Sequence, residues 1–369
     1  MSRCALLAAL LLPLSASAAP DSLDREVARM LLVGTRGFRV EAGDAFEHLI
    51  CGVKVGGLLF FDSDSTANGA PRNIHGREQI SELTKDLQAL AKKCGDAPLL
   101  IAADVEGGVV NRLSMLPEVR WTKRRDVLGK GSPRGTYLEA KKIGKAMRET
   151  GLNWNLAPVV DLNLNPDSPA IGRWGRSFSD DPITVTRHAE AFIEALRSNG
   201  ILNCIKHFPG HGSSAGDSHL GAVDVTKTAD LRLELRPYER LIDRGVVDCV
   251  MTAHIYNRNL DPNHIITFSS AAIIGILRDE MGFDGVVVSD DLQMKAVTRR
   301  TSVERAAVLA ILAGTDIVTI SNNLSRFDGS LVTRVHKAIV GAVKRGTIPR
   351  ERIREANRRI LALKARVAR

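Results

Sequence analysis

The sequence predicts a single catalytic domain folded as a closed (β/α)8 barrel, an α/β architecture of the TIM type. Three observations lead there. Eight apolar runs of strand length recur along the chain; amphipathic, helix-like stretches separate them; and acids, bases and amides stand just after most of the runs. Buried strands alternating strictly with helices pair in parallel, with the helices packed outside. The count of eight favours closure over a doubly wound sheet, and no Gly-x-Gly-x-x-Gly or P-loop marks a nucleotide-binding first turn.

In chain order, the first segment stands apart from the fold. Arg3 precedes a ten-residue apolar run, Ala5–Leu14, and then the small residues Ala16-Ser17-Ala18. This is the pattern of a secretory signal peptide over residues 1–18, with residues 19–369 as the folded chain. Strands are expected at Met30–Val33, Gly56–Phe61, Leu99–Ala103, Trp154–Val159, Ile201–Ile205, Val246–Met251, Gly285–Val288 and Thr315–Ile320. Helical periodicity falls between them, at Gly135–Glu149, Pro182–Ser198, Leu231–Arg244 and Ser302–Ala313. Asp62–His75 is polar, carries Gly69 and Pro71, and reads as a long surface loop. Two basic amphipathic helices, interrupted by Ile348-Pro349-Arg350, end the sequence and are expected to cap the barrel.

The net charge of the 369 residues is +9, but it is unevenly placed. Twelve Lys/Arg and two Asp/Glu lie between Arg334 and Arg369, a local charge of +10 that leaves the rest at −1. Basic residues on amphipathic helices read as a solvated face, so no nucleic-acid partner is expected. No later run reaches membrane-spanning length. The mature chain is therefore expected to be exported, periplasmic or secreted, and monomeric. Its cysteines, Cys51, Cys94, Cys204 and Cys249, include no C-x-x-C pair, and neither metal nor cofactor is expected. Export permits oxidation. Cys51 and Cys94 each close a helical segment ahead of a strand and are the candidate disulfide; Cys204 and Cys249, in apolar runs, are expected as buried thiols.

The densest chemistry sits at Lys206-His207-Phe208-Pro209-Gly210-His211-Gly212, followed by Asp217 and His219. These residues are expected at the end of the fifth strand and in the loop beyond it, where barrels keep their chemistry. A histidine beside a carboxylate can deliver a proton near neutral pH. Ser289-Asp290-Asp291-Leu292-Gln293-Met294 follows the seventh strand. A carboxylate there is rigid and partly desolvated, suited to attack an anomeric carbon, to stabilise an oxocarbenium ion or to bind a metal. Alternation points the two acids differently; Asp290 is assigned to chemistry and Asp291 to support. Asp104 and Glu106 follow the third strand, Asp161 the fourth, His254 the sixth, and Asn322 and Asn323 the eighth. Such residues at six strands in turn describe the C-terminal face of a barrel.

Together these segments resemble glycoside hydrolase family 3. The match consists of KHFPGHG…DSH (Lys206–Gly212, Asp217–His219), SDDLQM (Ser289–Met294) and DVEGG (Asp104–Gly108), with Ile171-Gly172, Gly175–Phe178 and Ala253-His254. It covers residues 25–369 in consistent order and, through D-S-H, is similar to the single-domain β-N-acetylglucosaminidase (β-hexosaminidase) branch. The resemblance implies a retaining double displacement with Asp290 as nucleophile, His219 as general acid/base and Asp217 orienting it. It further implies that Asp104, Arg112, Arg176, Lys206 and His207 hold the sugar. Val105 and Val109 stand where cytoplasmic relatives tend to carry polar or basic residues, the Asp62–His75 loop is longer, and the leader is a further departure. These differences touch the leaving-group side rather than the reaction.

Two rival chemistries are visible. Gly212-Ser213-Ser214-Ala215-Gly216 fits G-x-S-x-G, yet Pro209, Gly210 and Gly212 separate Ser214 from the strand that a nucleophile elbow needs. His207, His211 and His219 with nearby acids suggest a metal hydrolase, without the paired helical ligands of such sites. A sugar-binding protein without catalysis would need neither nucleophile nor acid/base. The expectation is a retaining exo-β-N-acetylglucosaminidase acting on non-reducing terminal GlcNAc of peptidoglycan fragments or chitin-type oligosaccharides through a glycosyl-enzyme. A β-N-acetylglucosaminide phosphorylase or a metal-dependent hydrolase is the alternative.

Overall fold

The computed structural model describes residues 22–96, 98–324 and 326–367, so the expected leader lies outside the described residues. All eight expected strands form: β1 Leu31–Val33, β2 Gly57–Leu59, β3 Leu100–Ala103, β4 Trp154–Asn155, β5 Ile205–Phe208, β6 Cys249–Thr252, β7 Val286–Asp291 and β8 Ile317–Ile320. They pair in parallel in the order β4-β3-β2-β1-β8-β7-β6-β5. Bridges between Trp154 and Leu202 and between Val159 and Lys206 join the two outer strands and close the sheet into a (β/α)8 barrel. Closure leaves no open edge and satisfies the strand backbones from both sides.

Several strand bounds differ from expectation: the second ends at Leu59 rather than Phe61, the fourth at Asn155 rather than Val159, the sixth starts at Cys249 rather than Val246, and two further differences bear on the site. The fifth strand runs Ile205–Phe208 rather than Ile201–Ile205, so Lys206 and His207 lie within it. The seventh extends through Asp291, placing both adjacent carboxylates inside the ladder. Polarity argued for ending these strands early. Neighbouring strands pair their backbones regardless, and partners buried with the side chains offset the burial of polar groups.

The helices start where capping chemistry allows. Ser132 accepts a hydrogen bond from Gly135 N at 3.3 Å ahead of Pro133–Glu149. Asp181 accepts from Ile183 N and Thr184 N, at 3.3 and 2.8 Å, ahead of Pro182–Arg197. Each cap satisfies otherwise unpaired N–H groups and contributes about 1 kcal/mol. The expected Leu231–Arg244 helix divides into Leu231–Glu234 and Arg236–Asp243, with Pro237 in the first turn of the second. Inward faces such as Ala140, Ile143 and Met147, or Val185, Ala189, Phe192 and Leu196, pack on the buried strands. The larger of these side chains each contribute about 1.5–3 kcal/mol by leaving water.

The C-terminal helix, Arg350–Val367, corrects the reading of the basic tail as a solvated face. Arg352 pairs with Asp316 just before β8, Arg358 and Arg359 with Asp284 before β7, Arg366 with Asp248 before β6, and Lys364 with Asp96 before β3. The helix therefore crosses beneath the N-terminal mouth of the barrel, and its cations answer a ring of carboxylates at the strand starts. The preceding helix, Leu331–Lys344, packs on the barrel's side and is no cap. Asp62–His75 is also more than a surface loop. It folds back as a short ribbon, Ser63–Asp64 against Ala70–Pro71, and buries Arg72, whose Nη1 lies 2.8 Å from Asp64 and 3.2 Å from Asn323 after β8. Cys51 and Cys94 form the expected disulfide, with Cα atoms 5.2 Å apart. Cys204 and Cys249, expected as thiols, are paired as well, because β5 and β6 are neighbours and bring their Cα atoms to 4.3 Å. Among the described residues no helix is long and apolar enough to cross a membrane.

Candidate active site

A cavity opens at the C-terminal ends of the strands, and seven of the expected residues line it: Asp104, Arg112, Arg176, Lys206, His207, His219 and Asp290. Asp217 lines the adjoining pocket together with His219. Residues from four strands, β3, β4, β5 and β7, or the loops after them thus converge on one space.

The floor is a buried charge network. Lys206 Nζ lies 2.6 Å from Asp104 Oδ1 and 2.8 Å from Glu106 Oε1. Arg176 grips Glu106 with Nε at 2.9 Å and Nη2 at 2.7 Å, a bidentate pair that fixes the guanidinium plane. Burial pushes the Glu106 carboxyl up, but Arg176 and Lys206 outweigh it and hold it well below the usual range. Burial alone would lower Lys206; Asp104 and Glu106 reverse that, so its pKa is raised and it stays charged. Opposite, Arg112 Nη1 sits 3.2 Å from Asp62 Oδ1, with its guanidinium 5.4 Å from the centre of the Phe61 ring. The DVEGG segment turns tightly between Val105–Gly107 and Val110–Asn111, with Gly107 at φ +89° and Gly108 at φ +64°. A Cβ on Gly108 would fall 2.9 Å from the Arg124 side chain, in a conformation that other residues rarely adopt.

His207 and the loop after it are set by Asp161. That carboxylate accepts from His207 Nδ1 at 2.7 Å, from the His207 backbone N at 3.2 Å and from the His211 N at 2.8 Å. Burial raises Asp161, yet the His207 charge beside it and these bonds bring it below its ordinary value. With Nδ1–H donated, the other nitrogen of His207 is left for the cavity. Gly212 passes so close to Leu162 that a Cβ would collide with its carbonyl oxygen, which fixes the loop against the end of the fourth strand.

Asp290 and His219 both line the cavity. Asp290 Oδ1 accepts from the Asp291 N at 2.8 Å, and among the described residues its other oxygen accepts no hydrogen bond. Burial works against its charge, but His254, His207 and His219 pull the pKa down to about 2, so it is a bare carboxylate across the physiological range. Asp291 borders the same cavity but is tied to the eighth strand's end: it accepts from the Ser321 hydroxyl, from Ser321 N at 3.1 Å and from Gln293 N at 3.1 Å. Burial raises it to about 6. His219 Nδ1 lies 2.8 Å from Asp217 Oδ1, which also accepts from the His219 N at 2.9 Å. The Asp217 bond raises the imidazole pKa, burial opposes, and the Asp290 charge adds to the rise. With Nδ1–H held by Asp217, Nε2 is the nitrogen left free by that bond. The side chain is 54% exposed and stands at the cavity wall.

Three supporting residues, Glu106 and His254 inside the matching segments and Asp161 after the fourth strand, carried no assigned role in the sequence. Glu106 holds Arg176 and Lys206, Asp161 holds His207, and His254 donates from Nε2 to the Asp291 carbonyl (3.0 Å), with Nδ1 2.8 Å from Thr267 Oγ1. Nothing in the sequence names their partners, which come from 13 to 100 residues away. The two rival constellations are not assembled. Ser214 is fully buried, its hydroxyl 2.8 Å from His211 Nδ1 and 3.1 Å from Ser168 Oγ, and it lines neither cavity. His207, His211 and His219 each turn to a separate partner, and among the described residues no three His, Cys, Asp or Glu are grouped to hold a metal ion.

Comparison with known proteins agrees with this geometry. Residues 22–363 match the glycosyl hydrolase family 3 N-terminal domain. The chain is 35% identical over 301 residues to β-hexosaminidase LpqI of Mycobacterium tuberculosis, an alignment covering 79% of this chain and 71% of that protein. It is 30% identical over 338 residues to β-hexosaminidase A of Pseudoalteromonas piscicida, covering 86% of this chain but only 54% of that longer protein. The family 3 β-N-acetylglucosaminidase from Paenibacillus sp. superposes with a TM-score of 0.85 at 35% identity, covering 95% of this chain and 63% of that one. The β-N-acetylhexosaminidase from Beutenbergia cavernae gives 0.81 at 30% identity, covering 94% and 99%.

Proposed function

As the chain belongs to glycoside hydrolase family 3, we propose that it is an exported, retaining exo-β-N-acetylglucosaminidase that releases non-reducing terminal GlcNAc from cell-wall or chitin-type glycans. The observation that carries the reading is that a carboxylate with a free oxygen and an imidazole bonded to a second carboxylate line one cavity. Asp290 is an unprotonated carboxylate with a free oxygen, and His219 is an imidazole whose pKa Asp217 raises. Asp290 attacks the anomeric carbon while His219 Nε2–H protonates the departing oxygen, which gives a glycosyl-enzyme and a neutral leaving group. The imidazole, now neutral, takes a proton from water as the water attacks the same carbon, and Asp290 leaves as a carboxylate. Asp104, Lys206, His207, Arg112 and Arg176 ring the space the sugar would fill and supply donors and acceptors for its hydroxyls.

The reading is tested by incubating the protein with a β-GlcNAc aryl glycoside, with and without phosphate, and identifying the sugar product. Free GlcNAc of retained β-configuration in both conditions is expected. GlcNAc 1-phosphate as the product would convert the assignment to a phosphorylase, and no cleavage would overturn it.

A further inference from the structure

Next to the sugar cavity lies a second pocket that the proposed chemistry leaves unassigned. Val109, Val110, Pro169, Ala170 and the ring of Trp174 form its walls. His219, Asp217 and Arg176 close its inner end. His219 and Arg176 border both spaces. A group that takes its proton from His219 therefore departs into this pocket. We propose that it is the leaving-group subsite and that it takes a neutral pyranose, a second N-acetylhexosamine, stacked by its C–H face on Trp174. The inference rests on the reading of His219 as the acid/base.

Trp174 and Val109 are 49% and 52% exposed, an unusual outlay of apolar surface beside a polar cavity. The ring is also held still. Its Nε1–H donates to the Pro169 carbonyl at 2.8 Å, so one edge is fixed and one face is left to solvent. It rides on a single helical turn, Gly172–Trp174, whose neighbour Arg176 donates from Nη1 to the Ala170 carbonyl at 2.9 Å. The same guanidinium holds Glu106 under the sugar, so shelf and sugar site share one rigid anchor. A flat apolar face held in place binds the apolar face of a sugar without loss of side-chain freedom.

Charge selects among sugars. The two cations lining this pocket among the described residues are both paired: Arg176 donates to Glu106 and Ala170, and His219, protonated in the proposed reaction, donates to Asp217. A leaving group carrying its own carboxylate, such as the lactyl group of a muramic acid, comes beside the Asp217 carboxylate with no unpaired counter-ion; a neutral amino sugar meets neither penalty.

The test compares kcat/KM on three substrates of one non-reducing sugar: N,N′-diacetylchitobiose, GlcNAc-β-1,4-MurNAc and N-acetyl-β-glucosaminyl fluoride, whose leaving group is too small to reach the shelf. The wild-type protein is expected to prefer the neutral disaccharide over the muramyl one. In Trp174→Ala the disaccharide-to-fluoride ratio should fall ten-fold or more, and Trp174→Phe, which keeps a ring face, should recover most of it. A ratio unmoved by Trp174→Ala, or a wild-type preference for the muramyl disaccharide, overturns the subsite while the glycosidase reading stands. Failure of the wild-type protein on the fluoride and both disaccharides takes both down.

Discussion

In the proposed reaction Asp290 needs only its charge and one free oxygen. Asp290→Asn keeps the shape and the Asp291 contact but removes the attacking charge, and turnover should fall by on the order of 10³-fold or more with an unchanged melting profile. His219 is proposed to act through a proton instead. His219→Ala should cost about 10² to 10⁴-fold on chitobiose and far less on an aryl glycoside whose leaving group is already a stable anion; equal losses would remove it from acid catalysis. The sign of its pH dependence follows from Asp217. The Asp217 bond raises the His219 pKa, so the donor form survives to higher pH, and Asp217→Asn should move the alkaline limb of kcat/KM to lower pH. Glu234 acts on stability. It is buried against Gly210 and raised to about 8 by burial and by Asp161, so the folded state holds its proton where the unfolded chain has lost it. That stability is complete at acid pH and is lost as pH rises toward 8. Glu234→Gln should flatten the decline and stabilise the protein at pH 8 by a few kcal/mol, read from urea unfolding at several pH values.

At the level of elements, the C-terminal helix separates stability from chemistry along the barrel axis. Asp316 at the start of β8 is wholly buried and receives Arg278 Nη2 at 2.6 Å, Arg352 and the Val287 N at 3.0 Å. Asp316→Ala leaves two buried guanidinium groups without their shared anion, a change that typically costs about 3–5 kcal/mol. Because the pair lies at the N-terminal mouth, the fraction still folded should keep its kcat. A loss of kcat without loss of stability would contradict the separation. The same geometry explains the strong positive charge of the tail. Its cations are matched to carboxylates that sit far away in the sequence, and they read as a free basic face only while those partners are out of view.

For the molecule as a whole, both cysteine pairs tie neighbouring parts of the barrel wall. Non-reducing peptide maps should show Cys51–Cys94 and Cys204–Cys249, and loss of the first, which closes a 43-residue separation, should cost about 4 kcal/mol in the chain-entropy model. The first pair could be anticipated because each cysteine ends a helix beside neighbouring strands; the second could not, because it depends on the register of β5 against β6. The same division runs through the rest of the protein. Hydrophobic periodicity, strand count and helix caps are local, so the barrel, its eight strands and the positions of the polar residues near their ends were legible in the amino-acid order alone. The motif residues Asp104, Lys206, His219 and Asp290 were legible too, since their chemical types and spacing are unusual. Which atoms meet was not. Glu106 under Arg176, Asp161 behind His207, the plug of the lower mouth by Arg350–Val367 and the Trp174 shelf beside His219 all join residues far apart along the chain. Closure of the sheet is what brings them within ångströms, and no short-range pattern encodes that distance.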